Sequence, residues 1–335
     1  MEAFNLFIIG WVIILETLHN FCEKACKMSK NSVQYSRTWR DKTMKIIIDE
    51  FIDSLKSRQA SQNTIASYER DIMQFSNYFE SKNKKIFDLT KDDMQEYVNH
   101  LLAEGKSNST ISRSTASIKS LYRYLLSKNL VEENIAENIE SPKVDRKEPM
   151  VLTASEIERL LEQPDLSELK GQRDKAMLEV LYATGIRVTE LVSLKVDDVN
   201  LTNGYIKVKK KNSERHIPLG NLSLKCLKDY MNKVRPLLIR TEEEKTLFIN
   251  TNGQKMTRQG YWKILKQYKD QAKIEKDITP HTIRHSFAVH MLQNGVELKT
   301  VQELLGHTDV ASTMMYTQMA NLNEKDNYFN LSNKA

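Results

Sequence analysis

Cysteine is scarce in this chain, with Cys22, Cys26 and Cys226 the only three in 335 residues. An odd number cannot pair completely, which excludes a disulfide-stapled scaffold and makes a cytoplasmic setting the simpler expectation. Long apolar runs are also missing. The longest candidate, Phe4 to Leu15, is interrupted by Asn5 and Gly10 and falls short of the roughly 20 residues a spanning helix needs. It has neither a positively charged start nor a small-residue cleavage site, so a signal peptide is not expected. Its positive charges follow it, at Lys24, Lys27, Lys30, Arg37 and Arg40. Stable membrane insertion is therefore not expected. Metal-ligand patterns are wanting too. Cys22 and Cys26 have no evident partners, and His281 and His285 are followed and separated by Thr282 where the zincin pattern requires a glutamate. No metal and no other cofactor is expected. There is no internal repeat.

Near the C-terminus stand Thr279-Pro280-His281-Thr282-Ile283-Arg284-His285, then Leu304-Leu305-Gly306-His307, then Tyr316, and far upstream Ala183-Thr184-Gly185-Ile186-Arg187. These are side chains suited to breaking a phosphodiester. Two arginines can grip phosphate oxygens with planar, permanently charged forks. Histidines can donate hydrogen bonds or move protons near neutral pH, and a tyrosine can attack phosphorus. His281 and Arg284 lie three residues apart and share a face of any helix they occupy, with Thr279 and Pro280 fitting its start. A phenol ionises near about pH 10 in water, so Tyr316 must shed its proton during attack or sit beside cationic groups. Glu190, one turn from Arg187, is a candidate ion-pair partner. His285 and Glu190 read as supporting residues, and His290 as packing.

The order and spacing of these motifs resemble the tyrosine recombinases, and the stretches from Ala183 to Leu194, Thr279 to Leu292 and Val301 to Tyr316 look most like the Xer branch. The resemblance runs from about Met44 to about Thr317. It implies that Tyr316 is the nucleophile forming a 3'-phosphotyrosyl link, with Arg187, His281, Arg284 and His307 activating the phosphate. The family takes the proton for the departing 5'-oxygen from a hairpin lysine. Here Gly204 to Pro218 alternates apolar and polar residues, with a turn near Asn212-Ser213. Aligned on Asn212, Glu214, Arg215 and Pro218, the family lysine falls on Lys210, with Lys209 and Lys211 as alternatives where glycines are common. The resemblance implies a site-specific recombinase of Xer-like role, resolving chromosome dimers at segregation. Integration or excision of a phage or mobile element is the alternative, and a non-catalytic DNA-binding regulator or a histidine-metal hydrolase the more distant ones. Implied partners are double-stranded DNA carrying paired sites and a tetramer of protomers, with a second recombinase and a septal DNA translocase as candidates. A short polar tail, Asn321 to Ala335, holds Tyr328, Phe329 and Leu331 as anchors for a neighbouring protomer. Gln318 departs from a histidine common in Xer members.

The expected fold is mainly helical with a small β-sheet: a helical SAM-like core-binding domain followed by a mixed α+β catalytic domain, which in the family close as a clamp around DNA. Residues 44–140 repeat apolar positions at helical spacing, as in Ile47, Phe51 and Leu55, and Thr90 with Asp93 marks a helix start. Residues 141–149 are polar, hold Pro142 and Pro149, and read as a linker. The catalytic domain spans 150–335. Residues 1–43 are expected to be a non-native or misassigned extension, with a weak membrane-associating segment as the other reading. The net charge of +6 and pI of about 8.9 favour a polyanionic partner. Within the first domain, Ser107 to Arg123 reads as a helix with Ile111, Ile118 and Leu121 inward. Its outer face is expected to present hydroxyls with Arg113, Lys119 and Arg123 to DNA phosphates.

Overall fold

The computed structural model describes residues 44–143, 149–210, 213–241, 243–306 and 314–320. The expectations for residues 1–43, for the tail from Asn321 and for His307 fall outside them. The chain divides into two compact units, at Arg146 and Lys147.

Among the described residues, the first unit holds four helices: α1 (Met44–Ser57), α2 (Gln62–Glu80), α3 (Lys91–Ala103) and α4 (Asn108–Ser127). Their starts are written in the side chains. Ser61 accepts from the Thr64 amide, Ser107 from the Thr110 amide, and Thr90 and Asp93 form a reciprocal capping box, satisfying amides that have no partner in the first turn. Ile47, Phe51, Ile72, Phe75, Phe79, Ile118 and Leu121 fill the core. Helix α4 departs from its expected exposed hydroxyl face. Ile111, Ile118 and Leu121 are buried as expected, but so are Ser114, Thr115 and Ser117. The reason is a buried carboxylate on α2: Ser117 Oγ donates to Asp71 at 2.9 Å, while Thr115 Oγ1 donates back to the Ile111 carbonyl. Small hydroxyl residues let the two helices approach closely.

The second unit wraps helices around a small antiparallel sheet. It begins with α5 (Ala154–Glu162), α6 (Leu169–Thr184) and the short α7 (Val188–Leu191). Strands β1 (Val199–Asn200), β2 (Tyr205–Lys210) and β3 (Ser213–Pro218) follow in the order β1-β2-β3. The β2–β3 register pairs Lys207 with His216, Lys209 with Glu214 and Lys210 with Ser213, so the hairpin forms where the alternation places it. Then come α8 (Asn221–Asp229), a π-helical turn, α9 (Arg235–Leu238), α10 (Arg258–Gln271), α11 (Pro280–Gln293), α12 (Leu298–Leu305) and a last helical segment over residues 314–320.

Helix α6 is the axis of this unit, buried on all sides, including Arg173 and Asp174. Those two charges satisfy one another: Arg173 Nε and Nη2 donate to Asp174 Oδ1 at 2.9 and 2.7 Å, and the Tyr268 hydroxyl donates to Oδ2 at 3.0 Å. Both carboxylate oxygens thus receive donors, as a buried ion pair requires.

Candidate active site

Helix α6 ends on Gly185, whose φ of +57° is left-handed. A side chain there would also strike the Phe287 ring, since a Cβ would stand 2.3 Å from it. The reversal brings Arg187 to the start of α7, with its amide donating to Glu190 Oε2 at 2.8 Å and its Nη1 3.6 Å from Oε1. Glu190 is the ion-pair partner expected from the spacing, and it is shared. Arg215 on β3 grips the same carboxylate with both Nη1 and Nη2, at 3.1 and 2.9 Å, and donates through Nε to the Leu304 carbonyl. Burial pushes the Glu190 carboxyl up, but the Arg215 hydrogen bonds, the Arg187 amide and both cationic charges outweigh it and hold it below the usual range. It is therefore an anion that fastens Arg187, the hairpin and α12 together. Gly306 closes α12 with φ +65°, and a Cβ there would meet the Arg215 guanidinium at 2.9 Å.

Helix α11 presents the next groups. Thr279 and Pro280 start it, as the sequence predicts. Arg284 is 3% exposed, with Nη1 donating to the Gly185 carbonyl at 2.5 Å and Nη2 to the Leu305 carbonyl at 2.7 Å. Both acceptors lie at helix C-termini, where unsatisfied carbonyls carry partial negative charge. Burial, and after it the Arg187 charge, presses the guanidinium down to about 10, still well above neutral pH, so it stays charged. His281 is exposed and shares a cavity of about 750 Å³ with Arg187, Thr257, Arg258, Gln259 and Trp262. Burial and the charges of Arg284, Arg187 and Arg258 lower its pKa, leaving it neutral at pH 7.

The start of α10 on this cavity was not singled out by the sequence reading. Thr257 caps that helix by accepting from the Gly260 amide, and Trp262, half exposed, stands one turn beyond Arg258. A capped helix start followed at once by arginine and glutamine, with a tryptophan four residues on, was the available signal.

Tyr316 is 1% exposed, and its hydroxyl lies 2.7 Å from His285 Nδ1. Burial raises the phenol pKa, against the pull of the Arg284 and Arg187 charges. His285 is pushed down to about 4 by burial and then by His281 and Arg284. Both groups are therefore neutral at pH 7, and with the imidazole proton on Nε2 the phenol hydroxyl donates to Nδ1. His285, read from sequence as a supporting residue, touches the tyrosine oxygen directly. His290, read as packing, is half-buried and bonded through Nδ1 to the Tyr182 hydroxyl at 2.9 Å.

The structure thus gathers Arg187, His281, Arg284 and Tyr316 around one region. Lys210 ends β2, Lys211 lies outside the described residues, and the Lys209 amine is bound 2.9 Å from Asp198 Oδ1. The three basic residues of α4 all have partners within their own unit. Arg113 is bonded to Asp71, Lys119 reaches the Ile139 carbonyl at 3.4 Å, and Arg123 pairs with Glu137 at 3.0 Å.

Among the described residues, a guanidinium pair stands beside a phenol, an arrangement suited to phosphoryl transfer to tyrosine. Residues 150–322 match the phage integrase family and residues 48–129 the phage integrase N-terminal SAM-like domain. The chain belongs to the phage integrase family, and it is an Xer-like site-specific tyrosine recombinase that cleaves and rejoins DNA. It is 41% identical over 280 residues to tyrosine recombinase XerD of Staphylococcus epidermidis, covering 83% of this chain and 95% of that protein. To the XerD of Listeria innocua it is 43% identical over 291 residues, covering 85% and 98%. The fold is shared with the XerH site-specific recombinase bound to palindromic difH substrate, at a TM-score of 0.68 and 23% identity over 82% of this chain and 81% of that one.

Proposed function

We propose that Tyr316 attacks the scissile phosphorus, breaking the bond to the 5'-oxygen and leaving a 3'-phosphotyrosyl link that a second strand's 5'-hydroxyl later replaces. The observation that carries this assignment is the gathering of Arg187, His281, Arg284 and Tyr316 around one region. As the tyrosine attacks, charge grows on the non-bridging oxygens, and fixed guanidinium donors lower that barrier without rearranging. Arg187 and Arg284 fill this role, neutral His281 donates a hydrogen bond, and His307 completes the set. Lys210 protonates the departing 5'-oxygen, a choice supported by Asp198 occupying the Lys209 amine. The phosphotyrosyl bond conserves the phosphodiester's energy, so exchange needs neither ATP nor a divalent cation.

The biological role is Xer-like resolution of chromosome dimers in the cytoplasm, supported by likeness to XerD proteins over nearly their whole length. Two duplexes require four tyrosines, hence a tetramer on paired DNA sites, alone or with a second recombinase, under control of a septal DNA translocase. Arg113, Lys119 and Arg123 contribute positive charge toward the DNA backbone. Deleting the gene in its own host and counting circular chromosome dimers tests this role. Dimers should accumulate and be cleared by the wild-type gene but not by Tyr316→Phe. Unchanged dimer levels, with recombination junctions at the ends of a mobile element, would reassign the protein to integration.

A further inference from the structure

The geometry points to His285 as the proton acceptor for Tyr316 during strand cleavage, and as the donor that returns the proton on rejoining. This inference rests on Tyr316 being the nucleophile. The 2.7 Å contact runs from the phenol oxygen to Nδ1, with Tyr316 1% exposed and His285 half-buried. Bulk water is thus poorly placed to take the proton. His281, one turn earlier on α11, opens onto the cavity with Arg187 and Arg258, and His290, further along, is engaged by the Tyr182 hydroxyl. The His281 and His285 rings stand 6.3 Å apart between centroids, and His285 is the one 5.5 Å from the tyrosine ring. The two histidines therefore divide the work by position.

In the resting protein His285 is neutral, which makes it an acceptor, and its own low proton affinity has identifiable causes: burial, His281 and Arg284. A bound phosphate would offset the Arg284 charge and raise that affinity when it is needed. In the forward step the Tyr316 oxygen bonds to phosphorus, the bond to the 5'-oxygen breaks, and the phenol proton passes to Nδ1. The 5'-oxygen receives a different proton, from Lys210 in the assignment above. In the reverse step the 5'-hydroxyl attacks phosphorus, the tyrosine oxygen leaves, and imidazolium Nδ1 reprotonates it. Atoms and charge balance without any further reactant.

The test uses the full chain and a nicked suicide duplex, its sequence first selected by binding from a randomised pool. One version carries an ordinary 5'-oxygen at the scissile phosphate and the other a bridging sulfur, which leaves as thiolate without protonation. His285→Ala should slow covalent adduct formation by about 10²-fold with DNA binding unchanged. His285→Asn, whose amide oxygen can accept the tyrosine hydrogen bond but not hold its proton, should be slowed comparably. The bridging sulfur should rescue neither variant, although it should rescue Lys210→Ala. A near-normal rate for His285→Asn would overturn proton transfer in favour of positioning, and rescue of the His285 variants by sulfur would move the residue to the leaving-group side. Failure of the underlying reading is distinguishable, because Tyr316→Phe would then still form adduct or wild type would form none.

Discussion

Gly185 joins backbone geometry to the site, and replacing it with alanine tests that connection. Its φ of +57° costs an L-residue about 1–2 kcal/mol. A Cβ would also fall 2.3 and 2.8 Å from two Phe287 ring carbons and 3.0 Å from Leu305, both of which are buried. Crowding of this kind costs about 1–3 kcal/mol. The sum for Gly185→Ala is about 2–5 kcal/mol. Gly295 supplies the control: its φ is +80° in the same unit, but nothing lies within 4 Å of its Cβ position. Gly295→Ala should therefore cost only the backbone share, about 1–2 kcal/mol. Equilibrium urea unfolding, with the catalytic unit followed by hydrogen exchange of α6 and α11 peptides, would measure both. The consequence for activity is separate. The Gly185 carbonyl accepts from Arg284 at 2.5 Å, and Phe287 is one turn from Arg284 on α11, so pushing the ring away displaces the guanidinium. Adduct formation should fall in Gly185→Ala and not in Gly295→Ala. Equal stability losses in the two variants, or a wild-type cleavage rate in Gly185→Ala, would refute the argument.

Removing a charged donor from the transition state costs about 3 kcal/mol or more, over a hundredfold in rate, so Arg187→Ala and Arg284→Ala should each show that loss in single-turnover cleavage. Near-normal rates would remove the residue from the site. Glu190 is held below its unfolded pKa of about 4.3, so its stabilising contribution is complete above that pH and disappears as pH falls through the lower folded value. Glu190→Gln should therefore be less stable than wild type at pH 7, with the gap closing in acid, as chemical denaturation across pH would show. Lys209→Ala should cleave nearly as fast as wild type while Lys210→Ala is slow and recovers on a substrate with a bridging sulfur. The reverse pattern would move the acid to Lys209.

Much of this fold is local in origin and so was readable. Ile47, Phe51 and Leu55 recur at helical spacing, Thr90 with Asp93 and Thr279 with Pro280 announce helix starts, and the alternation around Lys207 and Lys209 forecasts a hairpin. Helix α6 gives no such period because it is buried all round, with Arg173 and Asp174 inside it neutralising each other. Composition misled on α4, where polar side chains were placed outward. Asp71, over 40 positions away, draws Ser117 and Arg113 toward α2 instead. Motif spacing singled out Arg187, His281, Arg284 and Tyr316, since each sits in a recognisable run, and the fold brings these four to one region. The hydrogen bond between His285 and Tyr316 joins residues 31 positions apart, and the meeting of Arg258 and Trp262 with Arg187 depends on how α10 packs. Neither follows from local pattern, because both are products of tertiary folding.

The most direct test of the account is a comparison of wild type and Tyr316→Phe on a nicked suicide substrate, in the presence of chelator, with covalent protein–DNA adducts resolved on a denaturing gel. Wild type should form an adduct that survives chelation and is absent from the variant, while both proteins bind the DNA alike. An adduct formed by Tyr316→Phe, or one from wild type that vanishes when divalent cations are removed, would contradict it.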